Sequence, residues 1–308
     1  MHRRAQFDWK LRTRSLALGT VTRVMGVLNV TPDSFSDGGL LHSVDQAVET
    51  ALTMFADGAA IVDVGGESTR PGAGGTISTQ QEIDRILPVI EGIRHAQPDA
   101  LLSIDTYRAH TAQTAIQAGA EIVNDVSGLL WDEALAGTCA SLQCGVILMH
   151  ARGRPLDWKS LPRLAPEEVV PLVRHQLAER RSAAIAAGIA PERIVLDPGF
   201  GFGKIHDANY PLLLGLPTLA TLGQPLLAGV SRKSFLGRTL APLYGAAGAP
   251  VTAREHASLA ATTIAILMGA SLVRAHQVRP SVEAALIADA TLAAGDESRT
   301  IPISNNWS

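Results

Sequence analysis

The sequence predicts an α/β protein folded as a single (β/α)8 barrel, and three observations support this fold. Eight short apolar runs rich in Val, Ile and Leu recur along the chain. Amphipathic helical patterns follow most of these runs, as in parallel strands whose faces are covered by helices. Polar side chains stand at or near the ends of the runs. A barrel gathers all such ends around one mouth, whereas an open doubly wound sheet, which shares the local pattern, concentrates function at one switch point.

The eight apolar runs are the predicted barrel strands. They cover residues 24–30, 60–64, 101–104, 122–126, 146–149, 194–196, 225–230 and 272–276. Seven of them carry polar groups at or near their carboxyl ends, namely Asn29, Asp63, Asp105, Asn124, His150, Asp197 and the pair Arg274 and His276. The remaining run leads directly into the segment SRKS at residues 231–234.

Helix boundaries are predicted between these runs. Thr79 with Glu82, and Thr252 with Glu255, have the spacing of a capping box ahead of apolar periodic segments. Three Gly residues are expected to end helices, because Gly adopts the left-handed conformation at that position without steric strain; they are Gly58, Gly119 and Gly188.

Composition limits the class of protein. The 308 residues are 46% hydrophobic, and 26 Lys and Arg oppose 29 Asp and Glu, so no basic field favours nucleic acid. Cys139 and Cys144 cannot form a disulfide framework, which predicts a cytoplasmic protein. The polar, basic amino terminus lacks the apolar segment of a signal peptide, and the apolar stretch 257–273 is too short and too interrupted to span a membrane.

The predicted domain organisation has three parts. Residues 1–20 form a basic extension or a plug at the barrel bottom, residues 21–295 form the barrel, and residues 296–308 form a tail. The long segment 151–193 is interpreted as an extended barrel loop followed by a helix, since it lacks the strand pattern of a second domain.

Arg274 and His276 are two residues apart on a strand, so both side chains point to one face. A guanidinium and an imidazole at a barrel mouth suit an anionic group such as phosphate. The alternative is an ion pair at the surface end of a strand.

Asp105, Asn124 and Asp197 end three different strands and should converge at the mouth. Two carboxylates and an amide there form an acid/base pair, a metal site, or a clamp for a ring with adjacent N–H donors. Asp105 alone equally fits an ordinary helix N-cap.

Lys233 follows a strand and precedes a helix, and two interpretations remain open. It forms a Schiff base with a carbonyl substrate, which needs a desolvated pocket, or it donates to acceptors on a ring beside Ser234. The glycine-rich loops 31–39 and 65–75 are typical of lids, and the second contains Thr69 and Arg70. The segment DPGFGFGK at 197–204 has alternating glycines but does not match a dinucleotide fingerprint.

Taken together, these motifs resemble the dihydropteroate synthase family. The matching segments are MGVLNVTPDSFSDGG, IVDVGGESTRPGA, SIDT, EIVNDVSG, LMH, IVLDPGFGFGK, GVSRKSFLG and the R-x-H strand, in this order from about residue 24 to 290. The resemblance implies a homodimeric barrel enzyme that uses Mg²⁺. It would condense 6-hydroxymethyl-7,8-dihydropterin diphosphate with p-aminobenzoate to give 7,8-dihydropteroate and diphosphate, and sulfonamides would target it.

The resemblance also implies a role for each matching position. Asn29 would bind Mg²⁺ and the diphosphate, and Lys233, Arg274 and His276 would be the catalytic residues. The pterin would contact Asp105, Asn124, Met149, Asp197 and Lys233; the diphosphate would contact Arg70, Arg274 and His276; and p-aminobenzoate would contact Phe35, Thr69, Pro71, Phe202 and Ser234.

The implied mechanism is dissociative, with diphosphate leaving before the arylamine attacks. Gln277 replaces the Asp that usually follows the diphosphate-binding His, which leaves the orientation of His276 open. Three alternatives remain: a pterin-dependent methyltransferase, an aldolase-like barrel that uses Lys233, and a pterin-binding protein without turnover.

Overall fold

A computed structural model describes residues 4–30, 43–67, 77–158 and 160–295. Its first two strands, β1 (Phe7–Lys10) and β2 (Ser15–Leu18), form an antiparallel hairpin. Eight strands form the barrel: β3 (Arg23–Asn29), β4 (Ile61–Gly65), β5 (Leu102–Asp105), β6 (Ile122–Asp125), β7 (Gly145–Met149), β8 (Ile194–Asp197), β9 (Leu227–Ala228) and β10 (Leu272–Ala275).

Helices surround this wall. Within the described ranges they are α1 (Val44–Ala56), α2 (Thr79–Ala96), α3 (Ala109–Gln117), α4 (Leu135–Leu142), α5 (Pro166–Ala186), α6 (Asn209–Leu214), α7 (Leu216–Ala220), α8 (Ser234–Thr239), α9 (Ala241–Tyr244), α10 (Glu255–Leu267) and α11 (Val278–Ala294). None of the described helices is both long enough and apolar enough to cross a membrane.

Parallel pairing joins the eight described barrel strands into one sheet whose two edge strands, β8 and β9, lie next to each other. The order is β8-β7-β6-β5-β4-β3-β10-β9. The final gap, between β8 and β9, is bridged by Leu196 and Leu226, and the Leu196 N–H donates to the Pro225 carbonyl at 3.0 Å. The predicted (β/α)8 fold is confirmed. The seventh strand is shorter than predicted, since only Leu227–Ala228 of residues 225–230 is strand.

The predicted capping boxes are wrong, although the helices exist. In α2, Ser78 is the N-cap: its Oγ accepts from the Gln81 N–H at 3.2 Å, and Gln81 Oε1 accepts from the Ser78 N–H at 2.9 Å. Glu82 is buried instead and pairs with Arg108. Helix α10 has no side-chain cap, because Thr252 lies in the 3₁₀ turn Val251–Ala253.

The three predicted helix ends are confirmed. Gly58, Gly119 and Gly188 follow α1, α3 and α5 with φ of +97°, +115° and +98°. An added Cβ at any of these positions would be strained at that φ, whatever space surrounds it.

Apolar side chains fill the two sides of the barrel wall. Outward-facing residues pack against the helices in the main core. Inward-facing residues at the amino-terminal end form a second cluster that includes Met25, Ile61 and Leu272. The hairpin residues Trp9, Leu11 and Leu18 join this second cluster, and the Trp9 indole N–H donates to the Arg193 carbonyl at 2.8 Å.

Candidate functional site

A cavity of about 260 Å³ lies at the carboxyl-terminal mouth of the barrel. Ten of the predicted site residues line it: Asn29, Asp105, Asn124, Met149, Asp197, Phe202, Lys233, Ser234, Arg274 and His276. The other four, Phe35, Thr69, Arg70 and Pro71, lie outside the described residues. The size is close to the lower bound for small-molecule sites.

Strand register explains why the polar side chains share one cavity. Asn29, Gly65, Asp105 and Asn124 are successive Cα partners across β3, β4, β5 and β6. Partners in neighbouring strands point to the same face of the sheet, so this row faces the barrel interior. A Cβ built on Gly65 would lie 3.7 Å from Asn29 Oδ1 and 3.8 Å from Asp105 Oδ2, and its absence opens that side of the cavity.

Arg274 lies at the centre of a carboxylate network. Its Nε donates to Asp63 Oδ2 at 2.7 Å, and its Nη2 donates to Asp105 Oδ2 at 2.8 Å. These two bonds fix the plane of the guanidinium and leave its Nη1 group without a partner among the described residues. The Arg274 side chain is 21% exposed, so the remaining donors are accessible from the cavity.

Asp63 is the residue that sequence reasoning missed. It belongs to the polar groups near the strand ends, but the motif comparison assigned it no role. The structure buries it completely and gives its Oδ2 a second donor, Asn124 Nδ2, at 2.8 Å. The sequence does not show how far a residue lies from the barrel mouth. Asp63 lies two residues before Gly65 on β4 and is therefore deeper in the barrel.

His276 is oriented by Ser231 in this chain. The His276 Nδ1 lies 3.0 Å from Ser231 Oγ, and the His276 backbone N–H donates to the same oxygen at 3.3 Å. Gln277, which replaces the usual Asp, is the N-cap residue of α11 and makes no side-chain capping bond. Ser231 therefore supplies an orienting contact that the sequence comparison did not identify.

Asp197 and Lys233 form the opposite wall of the cavity. Asp197 Oδ1 accepts from the Gly199 N–H at 2.7 Å. The Lys233 ammonium lies over the Phe202 ring, 4.0 Å from its centroid. Gly229 keeps the space between the two walls open, since a Cβ there would lie 3.8 Å from Asp197 Oδ2 and 3.9 Å from Arg274 Cβ.

The alternating glycines of 197–204 have a structural cause. Gly199 has φ of +65°, and a Cβ there would lie 2.0 Å from the His150 carbonyl oxygen. Gly203 has φ of +68°, and its Cβ would lie 2.7 Å from Arg152. The loop is held from below by Lys204, whose buried ammonium contacts His150 Nδ1 at 2.9 Å and the carbonyl oxygens of His150 and Phe202 at 3.2 and 3.1 Å. The loop thus places Phe202 beside Lys233.

Burial changes the protonation of the clamp carboxylates. It raises the pKa of Asp105 to about 7, with the Arg274 charge opposing the shift and the nearby Asp63 adding to it. Burial also raises the pKa of Asp197 to about 6, against the Gly199 N–H bond and the Lys233 and Lys204 charges. Both groups therefore change charge near neutral pH.

One further ion-pair network borders the cavity. Arg108 Nη1 donates to Glu67 Oε2 at 2.6 Å and to Glu82 Oε2 at 2.8 Å, and Arg108 Nη2 donates to the Ile77 carbonyl at 2.8 Å. Glu67 itself lines the cavity. This network joins α2 and the start of α3 to the mouth.

The fold and the cavity define a (β/α)8 barrel with a small-molecule site at its mouth. The family described as "Pterin binding enzyme" matches residues 25–276. A dihydropteroate synthase of Mycobacterium leprae is 47% identical over 277 residues, covering 89% of this chain and 95% of the relative. The chain therefore belongs to the dihydropteroate synthases of the pterin-binding enzyme family.

Solved structures agree with this assignment. The Yersinia pestis dihydropteroate synthase, in a sulfonamide drug complex, superposes with a TM-score of 0.84 at 38% identity, covering 93% of this chain and all 100% of that one. The Xanthomonas albilineans dihydropteroate synthase with 4-aminobenzoic acid gives a TM-score of 0.81 at 39% identity, covering 94% and 99%.

Proposed function

We propose that this protein catalyses the condensation of 6-hydroxymethyl-7,8-dihydropterin diphosphate with p-aminobenzoate, releasing 7,8-dihydropteroate and diphosphate in folate biosynthesis. One observation supports this proposal above all others. The Arg274 guanidinium is bonded to Asp105 inside the cavity that Asp197 and Lys233 also line. A cationic site for a leaving diphosphate and a carboxylate clamp for a nitrogen heterocycle therefore share one opening.

The pterin is assigned to the inner part of the cavity. Its amino-pyrimidinone edge carries adjacent N–H donors, which ionised Asp105 and Asp197 can accept. Lys233 donates to the ring acceptors, and Met149 supplies apolar contact. Because Asp105 already uses Oδ2 for Arg274, its Oδ1 is the oxygen left for the substrate.

Catalysis depends on stabilising the charge that develops on the leaving diphosphate. Arg274 is held in place before the substrate arrives, so little reorganisation is needed when the C–O bond breaks. His276 stands two residues further along and adds a second donor to the same group. The arylamine then attacks the pterin methylene carbon and loses a proton to solvent.

The residues also fit the Mg²⁺ ion that the family implies. Among the described residues, no group of three His, Cys, Asp or Glu could hold a metal. Asn29 offers one amide oxygen at the cavity wall. Such a donor set suits Mg²⁺, which keeps several waters and is bound largely through substrate phosphates. Asn29 would hold the ion, which when bound would neutralise charge on the diphosphate.

p-Aminobenzoate is assigned to the outer part of the cavity. Phe202 offers a ring face for stacking, and Ser234 lies at the start of α8. Phe35, Thr69, Arg70 and Pro71 remain proposed contributors to the p-aminobenzoate and diphosphate contacts. Sulfonamides, which resemble this arylamine, should compete with it at the same position.

A coupled assay tests the proposed reaction. Purified protein, Mg²⁺, the pterin diphosphate and p-aminobenzoate should yield diphosphate and dihydropteroate in equal amounts. Omitting p-aminobenzoate is the matched control and should abolish dihydropteroate formation. Pterin binding without product would indicate a non-catalytic relative, and methyl transfer from methyltetrahydrofolate without condensation would establish the methyltransferase alternative.

The proposed assembly is a cytoplasmic homodimer. Ile264 on α10 and Leu286 and Ile287 on α11 are 40%, 55% and 70% exposed, and the two helices pack side by side. Large apolar side chains exposed on neighbouring helices support a protein interface. Light scattering after gel filtration should give twice the mass of the 32.4 kDa chain. Ile287→Glu should shift the mass towards one chain, and an unchanged monomer in both proteins would contradict the dimer.

The proposed domain organisation keeps residues 21–295 as the barrel and residues 1–20 as an extension that closes its amino-terminal end. The burial of Trp9, Leu11 and Leu18 in the lower inward-facing cluster supports this role for the extension. Residues 296–308 are proposed to be a tail. Free, buried Cys139 and Cys144 support a reducing compartment.

A further inference from the structure

Asp63 is a fully buried carboxylate with two polar partners on different strands. Its Oδ2 accepts from Arg274 Nε on β10 and from Asn124 Nδ2 on β6, at 2.7 and 2.8 Å. It does not line the cavity. A buried charge is kept only where paired groups compensate its loss of hydration, and here both donors belong to residues that do line the cavity.

We propose that Asp63 is a positioning residue that fixes the guanidinium of Arg274 and the amide of Asn124 for the pterin diphosphate. The inference deepens the proposed function and rests on it. Asp63 touches neither the cavity nor the reacting atoms, so it acts through these two neighbours.

The contact with Asn124 determines which end of the amide meets the ligand. A carboxylate only accepts hydrogen bonds, so Asp63 must face the NH₂ group of Asn124. The carbonyl oxygen of Asn124 is then the end left for the substrate. It accepts an N–H of the pterin, and a reversed amide would place a donor against that N–H.

The contact with Arg274 determines which nitrogen of the guanidinium is left for a ligand. Asp63 binds Nε from below, and Asp105 binds Nη2 from the side. With these two positions occupied, Nη1 is the donor left for an anionic group. Asp63 therefore links the heterocycle clamp and the diphosphate site, which lie on strands from different parts of the chain.

The barrel offers a matched control beside Asp63. Ser103 is its Cα partner on β5 and is equally buried. The Ser103 hydroxyl has no hydrogen-bond partner among the described residues, and neither does Asp63 Oδ1. Ser103→Ala thus removes a polar atom at the same depth without touching Arg274 or Asn124.

Steady-state kinetics of Asp63→Ala test the proposal. The variant removes the oxygen that accepts from Arg274 Nε and Asn124 Nδ2, so both neighbours lose their fixed geometry. Misplacement of this kind lowers kcat/KM for the pterin diphosphate by about 10- to 100-fold. The KM for p-aminobenzoate should stay within about twofold, and Ser103→Ala should match the wild type. Equal rises in both KM values, or unchanged kinetics in Asp63→Ala, would overturn the proposal.

A double-mutant cycle separates positioning from general damage. In an Asn124→Ala background, Asp63→Ala should raise the Kd for 6-hydroxymethyl-7,8-dihydropterin much less than it does alone, because the residue that Asp63 orients is gone. Calorimetric titration with this pterin, and separately with inorganic diphosphate, needs no turnover. A full, additive loss in the double variant would contradict positioning through Asn124.

A measurement on the wild-type protein tests the contact between Asp63 and Asn124 even where a variant at Asp63 does not fold. The side-chain NH₂ signal of Asn124, assigned by its absence in Asn124→Ser, should exchange with solvent much more slowly than exposed amides. Fast exchange would refute the Asp63 contact. Failure of the condensation assay would remove the proposed function, whereas these binding and exchange results would still decide the role of Asp63.

Discussion

The two ends of the barrel interior are made by the same strands but differ completely in chemistry. On β4, inward-facing Ile61 is followed two residues later by Asp63, and on β10 Leu272 is followed by Arg274. Two residues along a strand span only about 7 Å. The amino-terminal end is sealed by hydrophobic contacts, and the mouth is held by ion pairs. Two consecutive inward-facing positions on one strand therefore have different roles: the first stabilises the amino-terminal end of the barrel, and the second belongs to the polar network at its mouth.

The largest expected effect on stability lies at the sealed end. Trp9 is 1% exposed, and Trp9→Ala should lower the free energy of unfolding by about 3–5 kcal/mol, as large-to-small changes in cores do. Urea denaturation measures the loss. Lys10→Ala on the same hairpin is the control and should change the value by less than about 0.5 kcal/mol. At temperatures where Trp9→Ala is folded, kcat and both KM values should be unchanged; a large fall in kcat would contradict this division.

Arg274→Ala should lower both turnover and stability, because Arg274 lines the cavity and also pairs with buried Asp63. Turnover should fall about 10²-fold or more, as expected when a preorganised charge donor is lost. Stability should also fall, since buried Asp63 loses its ion-pair partner. Arg274→Lys should recover only part of the turnover, because one ammonium cannot reproduce the two bonds to Asp63 and Asp105. Wild-type kcat in Arg274→Ala would remove Arg274 from the mechanism.

The mouth should also respond to pH. The pKa of Asp105 is raised to about 7, and the ionised form is the one that accepts pterin N–H groups. The KM for the pterin diphosphate should therefore rise about tenfold for each pH unit below about 7. Asp105→Asn should give a weaker but flatter profile down to about pH 6, where Asp197 begins to protonate.

The same shift has the opposite sign for stability. A carboxyl group whose pKa is raised on folding binds a proton more tightly in the folded protein. Its contribution to the free energy of unfolding is fully present below the ordinary pKa of 3.8 and is lost as the pH rises through about 7. Urea denaturation at pH 5.5 and 8 should reveal this loss in the wild type and a smaller one in Asp105→Asn.

The smallest expected effect on stability concerns the residue that caps the start of α2. Ser78→Ala should lower the free energy of unfolding by about 1 kcal/mol, because Ser78 caps α2. Thr79→Ala, at the position that the spacing pattern favoured, should change it by much less. The reverse order in thermal or urea denaturation would reinstate Thr79 as the cap.

The pattern of apolar runs predicted the barrel, and the strand ends together with the family resemblance predicted the ten residues that line the cavity. Strand alternation explains only those on strands, since Phe202, Lys233 and Ser234 lie beyond the ends of β8 and β9. The sequence could not predict which inward-facing residue lies beneath the cavity, so Asp63 received no role. The cap of α2 was also missed, since Ser78 with Gln81 and Thr79 with Glu82 have the same spacing. Tertiary contact decides between them, because Arg108 and Thr111 draw Glu82 into the interior.

The brevity of β9 has a consequence for how the barrel fluctuates. This strand contains only Leu227 and Ala228, and one isolated bridge, between Leu196 and Leu226, joins this side of the described barrel to β8. Regions with few backbone hydrogen bonds open most readily, so we expect local opening of the barrel between β8 and β9. Asp197 ends β8, and Lys233 and Ser234 follow β9, whereas Asp105 and Asn124 lie on strands that pair on both sides. The pterin would then contact both parts of the barrel, so opening between β8 and β9 would loosen its Asp197 and Lys233 side and leave its Asp105 and Asn124 side in place.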